Sequence, residues 1–419
     1  MWRMVRRMSY ERICKRAVFK EYSMKLKFVA LGIGLLLIAI FGVVEISTPS
    51  VPPLSPDAQK DSTTSPGENF SGDNGSMDTS TSPGAAVPPA ATSENPPPSI
   101  TPPYTTVRKY HPGHYVTIES GKNTDLTDAF ITVLKKPGVV GLQVRYTWRE
   151  LEISKGVYDF SKIQKHLDLL SKQDMKLVVF LEDKSFSGAL PPPTPEYLQG
   201  TPYTLPNIPG GYSAVRWNPV VRAQFKAVVK ELGKNFDGNP TLEGISFQES
   251  ATGLTSSVMN ANGYTPEIYR DTLIDTLQTA AINFPNSQVF WYMNFLTGHQ
   301  SYIADIATAV APYGVAMGGP DILPESASLK RLAYPFYGQF KGKITLFGSM
   351  QNDSYRELHA GTTNYWTMNE MFLFARDNLH VNYIFWNYKM WVTAGMPTGE
   401  NKWTDALPVI KANPAFNTR

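Results

Sequence analysis

Residues 139–183 read VVGLQVRYTWRELEISKGVYDFSKIQKHLDLLSKQDMKLVVFLED, one complete copy of a pattern that recurs along the chain. It opens and closes on apolar runs, 139–148 and 176–182, rich in β-branched and aromatic residues. Between them, 159–173 carries apolar residues three and four apart, the spacing that lays one stripe along a helix. A strand, a helix and a second strand in this order form a βαβ unit. The strands read as continuous apolar runs, as parallel strands do when helices cover them.

The same unit recurs along the chain. Further strands are expected at HYVTIE (114–119), LEGISFQE (242–249), SQVFWYMNF (287–295), GVAMGG (314–319), KITLFGSM (343–350) and NYIFWNY (382–388). Helical patterns at 220–236, 266–284 and 368–379 separate several of them. Eight such units predict a (β/α)8 barrel of the α/β class over residues 104–419. An open doubly wound sheet fits less well, because no Gly-rich dinucleotide turn follows the first strand.

Composition divides what precedes the barrel. Residues 1–27 are basic, with nine Lys/Arg against Glu11 and Glu21. They run into FVALGIGLLLIAIFGVV, 28–44, which carries no charge and is long enough for a membrane anchor or a signal-peptide core. The anchor is expected over 28–45, with the basic segment cytoplasmic by the positive-inside rule and the barrel periplasmic or extracellular. Cleavage would instead release a secreted protein, and Met24 is an alternative start. Residues 46–103 are rich in Pro, Ser and Thr, too polar to bury a core, and are expected to form a disordered spacer. The chain is net +3, yet seven net positive charges lie in the first 27 residues, so the remainder is net −4. That balance excludes a basic nucleic-acid surface. The one cysteine, Cys14, precedes the apolar run, so disulfides do not stabilise the exported part. The barrel is expected to be a monomer.

In a (β/α)8 barrel the site is built at the carboxyl ends of the strands. This chain places Glu119, Arg145, Glu182 with Asp183, Gln248 with Glu249, Asn294, Asp321, Gln351 with Asp353, and Trp386 with Asn387 at those ends. Each residue alone is more often structural or solvated; together they outline an acidic, amide-rich mouth. Trp148, Phe186, Trp217, Trp291, Tyr292, Phe295, Tyr355, Tyr365, Trp366, Tyr388 and Trp391 lie in the same regions. Rings beside amides and carboxylates suit a sugar, whose C–H face stacks on an aromatic plane while its hydroxyls take hydrogen bonds. The Pro/Gly-rich connection 185–218 is expected to wall a groove.

These residues carry a resemblance. The Trp148–Glu152 and Gly156–Phe160 motifs with the helix that follows, the approach to GISFQES (244–250) and the YIFWN run (383–387) resemble the large retaining clan of TIM-barrel glycoside hydrolases. The resemblance covers about 110–410 and implies that Glu249 is the general acid/base, beside Gln248 where the clan has Asn. It implies that Trp386 floors the subsite of the scissile sugar; from their place at the strand ends, Arg145, Trp148, Glu182, Asn294, Gln351 and Asn387 are expected to contact a poly- or oligosaccharide. It also implies a nucleophilic Glu near Ser349 or Gln351, and neither residue is anionic. Three readings follow. Asp321 or Asp353 is the partner; Glu119, Glu182 or the substrate supplies the missing group; or the barrel binds glycan without cleaving it.

No cofactor or metal is expected. HPGH, 111–114, reads as a turn held by Pro112 and Gly113 rather than a metal site. MGGPD, 317–321, lacks the Lys and Ser/Thr of a phosphate loop and reads as a turn that delivers Asp321 to the mouth.

Overall fold

The computed structural model describes residues 108–118, 126–188, 190–296, 299–388 and 403–417. Its strands are β1 (Gly113–Ile118), β2 (Val139–Thr147), β3 (Lys176–Glu182), β4 (Leu242–Phe247), β5 (Gln288–Tyr292), β6 (Val315–Gly319), β7 (Leu346–Met350) and β8 (Tyr383–Asn387). Each pairs in parallel with its neighbour in sequence. β8 returns to β1, with Val116 opposite Trp386 and Thr117 opposite Asn387, so a closed barrel results and no edge is left open. All eight expected strands are present; β4 and β5 stop earlier than expected, at Phe247 and Tyr292.

Helices α1 (Asp128–Leu134), α2 (Ser161–Ser171), α3 (Pro219–Phe236), α4 (Pro266–Asn283) and α5 (Tyr302–Val310) return the chain between strands. The starts of α3 and α4 are written into the sequence. Asn218 accepts from the amides of Val220 and Val221, Thr265 accepts from Ile268, and a proline fills the first helical position, where its missing N–H costs nothing.

Period-two alternation sorts the strand side chains. Tyr115, Val178, Phe180, Phe290, Tyr292, Phe347, Tyr383 and Phe385 pack together inside the barrel, whereas Trp291, Met317, Ile384 and Trp386 belong to the layer between strands and helices. Above the aromatic tier lies a buried polar one. Thr117 donates to Gln143 Oε1 at 2.9 Å, Gln143 Nε2 donates to Tyr292 Oη at 3.0 Å, and Tyr292 Oη meets Ser349 Oγ at 2.8 Å. Satisfied networks of this kind hold their members in one geometry, and this one floors the mouth.

The opposite end is fastened by the entering segment. Arg108 donates to the carbonyls of Ala281, Phe284, Ser287 and Tyr313, and Lys109 Nζ donates to those of Asp237 and Asn239. The HPGH stretch is structural. His111 donates its amide to buried Glu243 and pairs with it through Nδ1 at 2.7 Å. His114 Nδ1 accepts from Trp386 Nε1, so its hydrogen sits on Nε2 and is donated to Asn413 O at 2.8 Å. Burial pushes this imidazole down to about 4, leaving it neutral at physiological pH.

The expected basic segment 1–27, the apolar span 28–45, the linker 46–103 and Glu119 lie outside the described residues. Among the described residues no helix is long and apolar enough to cross a membrane.

Gly318 shares the inward parity of Ala316, and a Cβ there would fall 2.0 Å from Phe347 O. Gly318→Ala is therefore expected to lower stability by about 1–3 kcal/mol in urea titration, the range for an overpacked core. Gly338→Ala, where a Cβ meets nothing within 4 Å, serves as the control and should leave the midpoint unchanged or slightly raised. Equal midpoints for the two variants would contradict the inward placement of Gly318.

Candidate functional site

The carboxyl ends of the strands open on a cavity of about 580 Å³, within the range of small-molecule sites. Tyr292 and Phe180 form its floor, and Arg145, Glu182, Gln248, Glu249, Asp321, Gln351 and Asp353 stand around it. Phe186 and Leu190 reach in from the 185–218 connection, which thus forms a wall as expected. That connection is itself ordered by a small hairpin, Thr204–Pro206 with Tyr212–Ala214, and by Asn207 donating to Ser185 O at 2.8 Å.

Glu249 lies two residues beyond β4 and is only 9 % exposed. Lys184 Nζ donates to its Oε1 at 2.7 Å, and Asn294 Nδ2 donates to its Oε2. Arg216 fixes the backbone here, donating to Glu249 O at 2.6 Å while it grips Asp183 through two bonds of 2.7 Å. Tyr269 accepts from Arg216 and donates to Ser250 O, and Ser250 Oγ in turn accepts from the amide of Asn294. The backbone of Glu249 and of Asn294 is therefore fixed, and Lys184 is tied by a second bond from Nζ to Ala251 O at 2.9 Å. Gln248 Nε2 bridges Glu182 Oε1 and Lys184 O, each at 3.1 Å. Arg145 lies 3.6 Å from Glu182 Oε1, with its guanidinium 4.9 Å above the Phe180 ring.

Asp321 follows β6 by two residues, past the Gly319–Pro320 turn. The residue is partly exposed, yet its carboxyl is closely surrounded by protein. Burial first, then the charges of Glu249 and Asp353, push it up to about 7, while Lys184 and Arg145 act the other way. Among the described residues no hydrogen-bond donor reaches this carboxyl. Asp353, by contrast, has a side chain 75 % exposed on the rim, 3.8 Å from Arg356 Nε. Ser349 is buried against Tyr292, and Gln351 lines the cavity while accepting from Asn387 Nδ2 at 3.1 Å.

Four expected contacts fall elsewhere. Trp386 points outward by strand alternation, is fully buried among helices, and bonds His114; it floors no subsite. Trp148 begins a helical turn after β2 and is equally buried, with its indole donating to Glu152 Oε2 at 2.7 Å. Asn294 and Asn387 back the wall rather than line it, their donors turned to Glu249 and Gln351. Of the aromatic residues expected at the mouth, Phe186 and Tyr292 line the cavity, whereas Trp217, Trp291 and Tyr355 are core. Trp391 lies outside the described residues.

Lys184 and Arg216 were not anticipated. Lys184 was within reach of pattern reasoning, because it shares the inward parity of Glu182. Arg216 was not, since its partner Asp183 is 33 positions away in the chain. Among the described residues no three His, Cys, Asp or Glu side chains gather as metal ligands would.

No protein-family model matches the chain, and no curated protein matches it. Among solved structures it is similar to the catalytic domain of β-amylase from Paenibacillus polymyxa, with TM-score 0.49, 12% identity, and coverage of 72% of this chain and 98% of that one. It is also similar to endo-glycoceramidase II from Rhodococcus sp., with TM-score 0.47, 13% identity, and coverage of 70% and 77%. For β-galactosidase from the psychrophilic Marinomonas ef1 the values are 0.46, 9%, 71% and 59%. Likenesses this distant carry no argument about activity, and the fold rests on the strand pairing itself.

The Asp321 carboxyl has a consequence for stability. Folded, it holds its proton up to about pH 7, whereas its ordinary value is 3.8. The folded state thus binds more protons between those limits, and the stability this group contributes, complete below about pH 4, is lost as pH rises to 7. Asp321→Asn, uncharged throughout, is expected to be more stable than wild type at pH 8 by on the order of 1–2 kcal/mol after allowance for solvent screening, and no more stable at pH 4. Urea midpoints at the two pH values check this. An equal effect at both, or none, would contradict the raised carboxyl.

Proposed function

We propose that the chain is a glycoside hydrolase acting on an extracytoplasmic poly- or oligosaccharide, with Glu249 and Asp321 as its carboxyl pair. One observation supports this most: carboxyls from the ends of β4 and β6 share one cavity closely enough for the charge of Glu249 to raise Asp321. Cleaving a glycosidic bond through an oxocarbenium-like state needs two such groups, one that gives a proton to the leaving oxygen and one that attacks or activates water. Asp353 is a poorer partner, because solvent surrounds it at the rim.

The surroundings support a hydroxyl-rich ligand. Arg145, Gln248 and Gln351 offer donors and acceptors to hydroxyls, and the exposed ring of Phe186 offers a flat apolar face to sugar C–H groups. The resemblance in sequence points the same way. In this reading the 28–45 run anchors the chain, or is cleaved on export, and the 46–103 linker tethers the barrel outside the cytoplasm.

Reducing-end release from a broad polysaccharide panel tests the proposal. Wild type is expected to hydrolyse at least one member, Glu249→Gln and Asp321→Asn each to lose about 100-fold or more, and Asp353→Asn to stay within about threefold. Saturable binding without release across the panel would replace the enzyme with a glycan-binding barrel. Turnover like wild type in Glu249→Gln would remove that residue from the chemistry.

A further inference from the structure

We infer that Lys184 is a positioning residue that holds Glu249 as the anionic member of the pair, so that the proton for the leaving oxygen comes from Asp321. This rests on the glycosidase reading and reverses the roles that the resemblance implies, in which the strand 4 carboxyl is the acid.

The geometry at Glu249 is that of an acceptor. A buried ammonium, its side chain 3 % exposed, lies 2.7 Å from Oε1, and an amide N–H is directed at Oε2. Lys184 is not free to turn away: it also donates to Ala251 O at 2.9 Å and sits 4.5 Å from the centre of the Phe186 ring. The amide of Asn294 reports the same polarity. Its Oδ1 is buried without a partner among the described residues, and turning the amide over would set that oxygen against the Glu249 carboxyl, two acceptors face to face. Both neighbours thus treat Glu249 as a carboxylate.

Asp321 stands in the opposite situation. Among the described residues no hydrogen-bond donor holds it in the ionised form. The groups acting on it are Glu249 and Asp353, which disfavour its charge, Lys184 and Arg145, which favour it, and the phenols of Tyr292, Tyr334 and Tyr337 around it. Burial adds to the two carboxylates, and the group keeps its proton to about pH 7. Two carboxyls whose environments separate their protonation states identify the acid and the base.

The step then balances. The bond from the anomeric carbon to the leaving oxygen breaks, and that oxygen takes the proton of Asp321. The Glu249 carboxylate either takes a proton from the water whose oxygen bonds the anomeric carbon, or bonds that carbon itself and is released by water. One water is consumed, and solvent restores the starting protonation.

The test compares aryl glycosides with poor and good leaving groups, since 2,4-dinitrophenolate departs without a proton. Methylumbelliferyl and 2,4-dinitrophenyl glycosides of the sugar that wild type accepts are used with the full chain. Asp321→Asn should lose at least about 100-fold on the first and no more than about tenfold on the second, whereas Glu249→Gln should lose heavily on both. Lys184→Met should move the acidic limb of the pH–rate profile upward, and the basic limb upward as well because Lys184 also favours the charge of Asp321, with Lys184→Arg restoring part of the profile; a profile unchanged in Lys184→Met would remove Lys184 from the positioning role. The opposite pattern, in which the good leaving group relieves Glu249→Gln and not Asp321→Asn, would overturn the inference and leave the glycosidase reading standing. No turnover of either substrate by wild type, after a full sugar panel, would end both. If Lys184→Met does not fold, the leaving-group comparison decides the matter alone.

Discussion

Closure of eight parallel strands is the constraint on which the rest of this molecule depends. Once β8 pairs with β1, each strand has an inside and an outside and no edge, and one residue of register decides which side a side chain takes. Inside, the barrel is filled by Phe290, Phe347 and Phe385 and by the network of Thr117, Gln143, Tyr292 and Ser349. The cavity begins at Tyr292 and Phe180. Gly318 follows from the same constraint, since its missing side chain is where Phe347 packs.

Above that floor the charges are arranged at a cost. A buried ion pair such as Lys184–Glu249 recovers its desolvation only when further hydrogen bonds complete it, and here Ala251 O and Asn294 supply them. Asp183 and Arg216 form a second buried pair whose spare donors hold the backbone of Glu249 and the phenol of Tyr269. Asp321 receives no hydrogen bond from a donor among the described residues and is favoured only by the charges of Lys184 and Arg145. A carboxyl kept without donors beside another carboxylate weakens the fold at neutral pH, and such arrangements gather where chemistry is done.

The architecture was legible because it repeats. Each strand announces itself as an apolar run, and the helices after β2, β3 and β4 as spaced stripes, and eight strands in this order left little room for another topology. Polar residues at strand ends were legible for the same reason, and Arg145, Glu182, Gln248, Glu249, Asp321 and Gln351 do meet at one cavity. Trp386 was misplaced, although the pattern held the answer: it alternates with Phe385, and only one of the two can face inward. Trp148 was misplaced because the chain turns into a helix at that residue, where strand parity no longer applies. The Arg216–Asp183 grip and the amide of Asn294 turned toward Glu249 depend on contacts between distant segments, which no local spacing encodes.

Carboxyl titration by carbon-13 NMR measures the coupling of Glu249 and Asp321 directly. The Asp321 resonance of wild type should titrate near pH 7 and move to lower pH in Glu249→Gln, where the neighbouring charge is gone. An Asp321 that titrates near pH 4 in both proteins would show that the two carboxyls are not a pair.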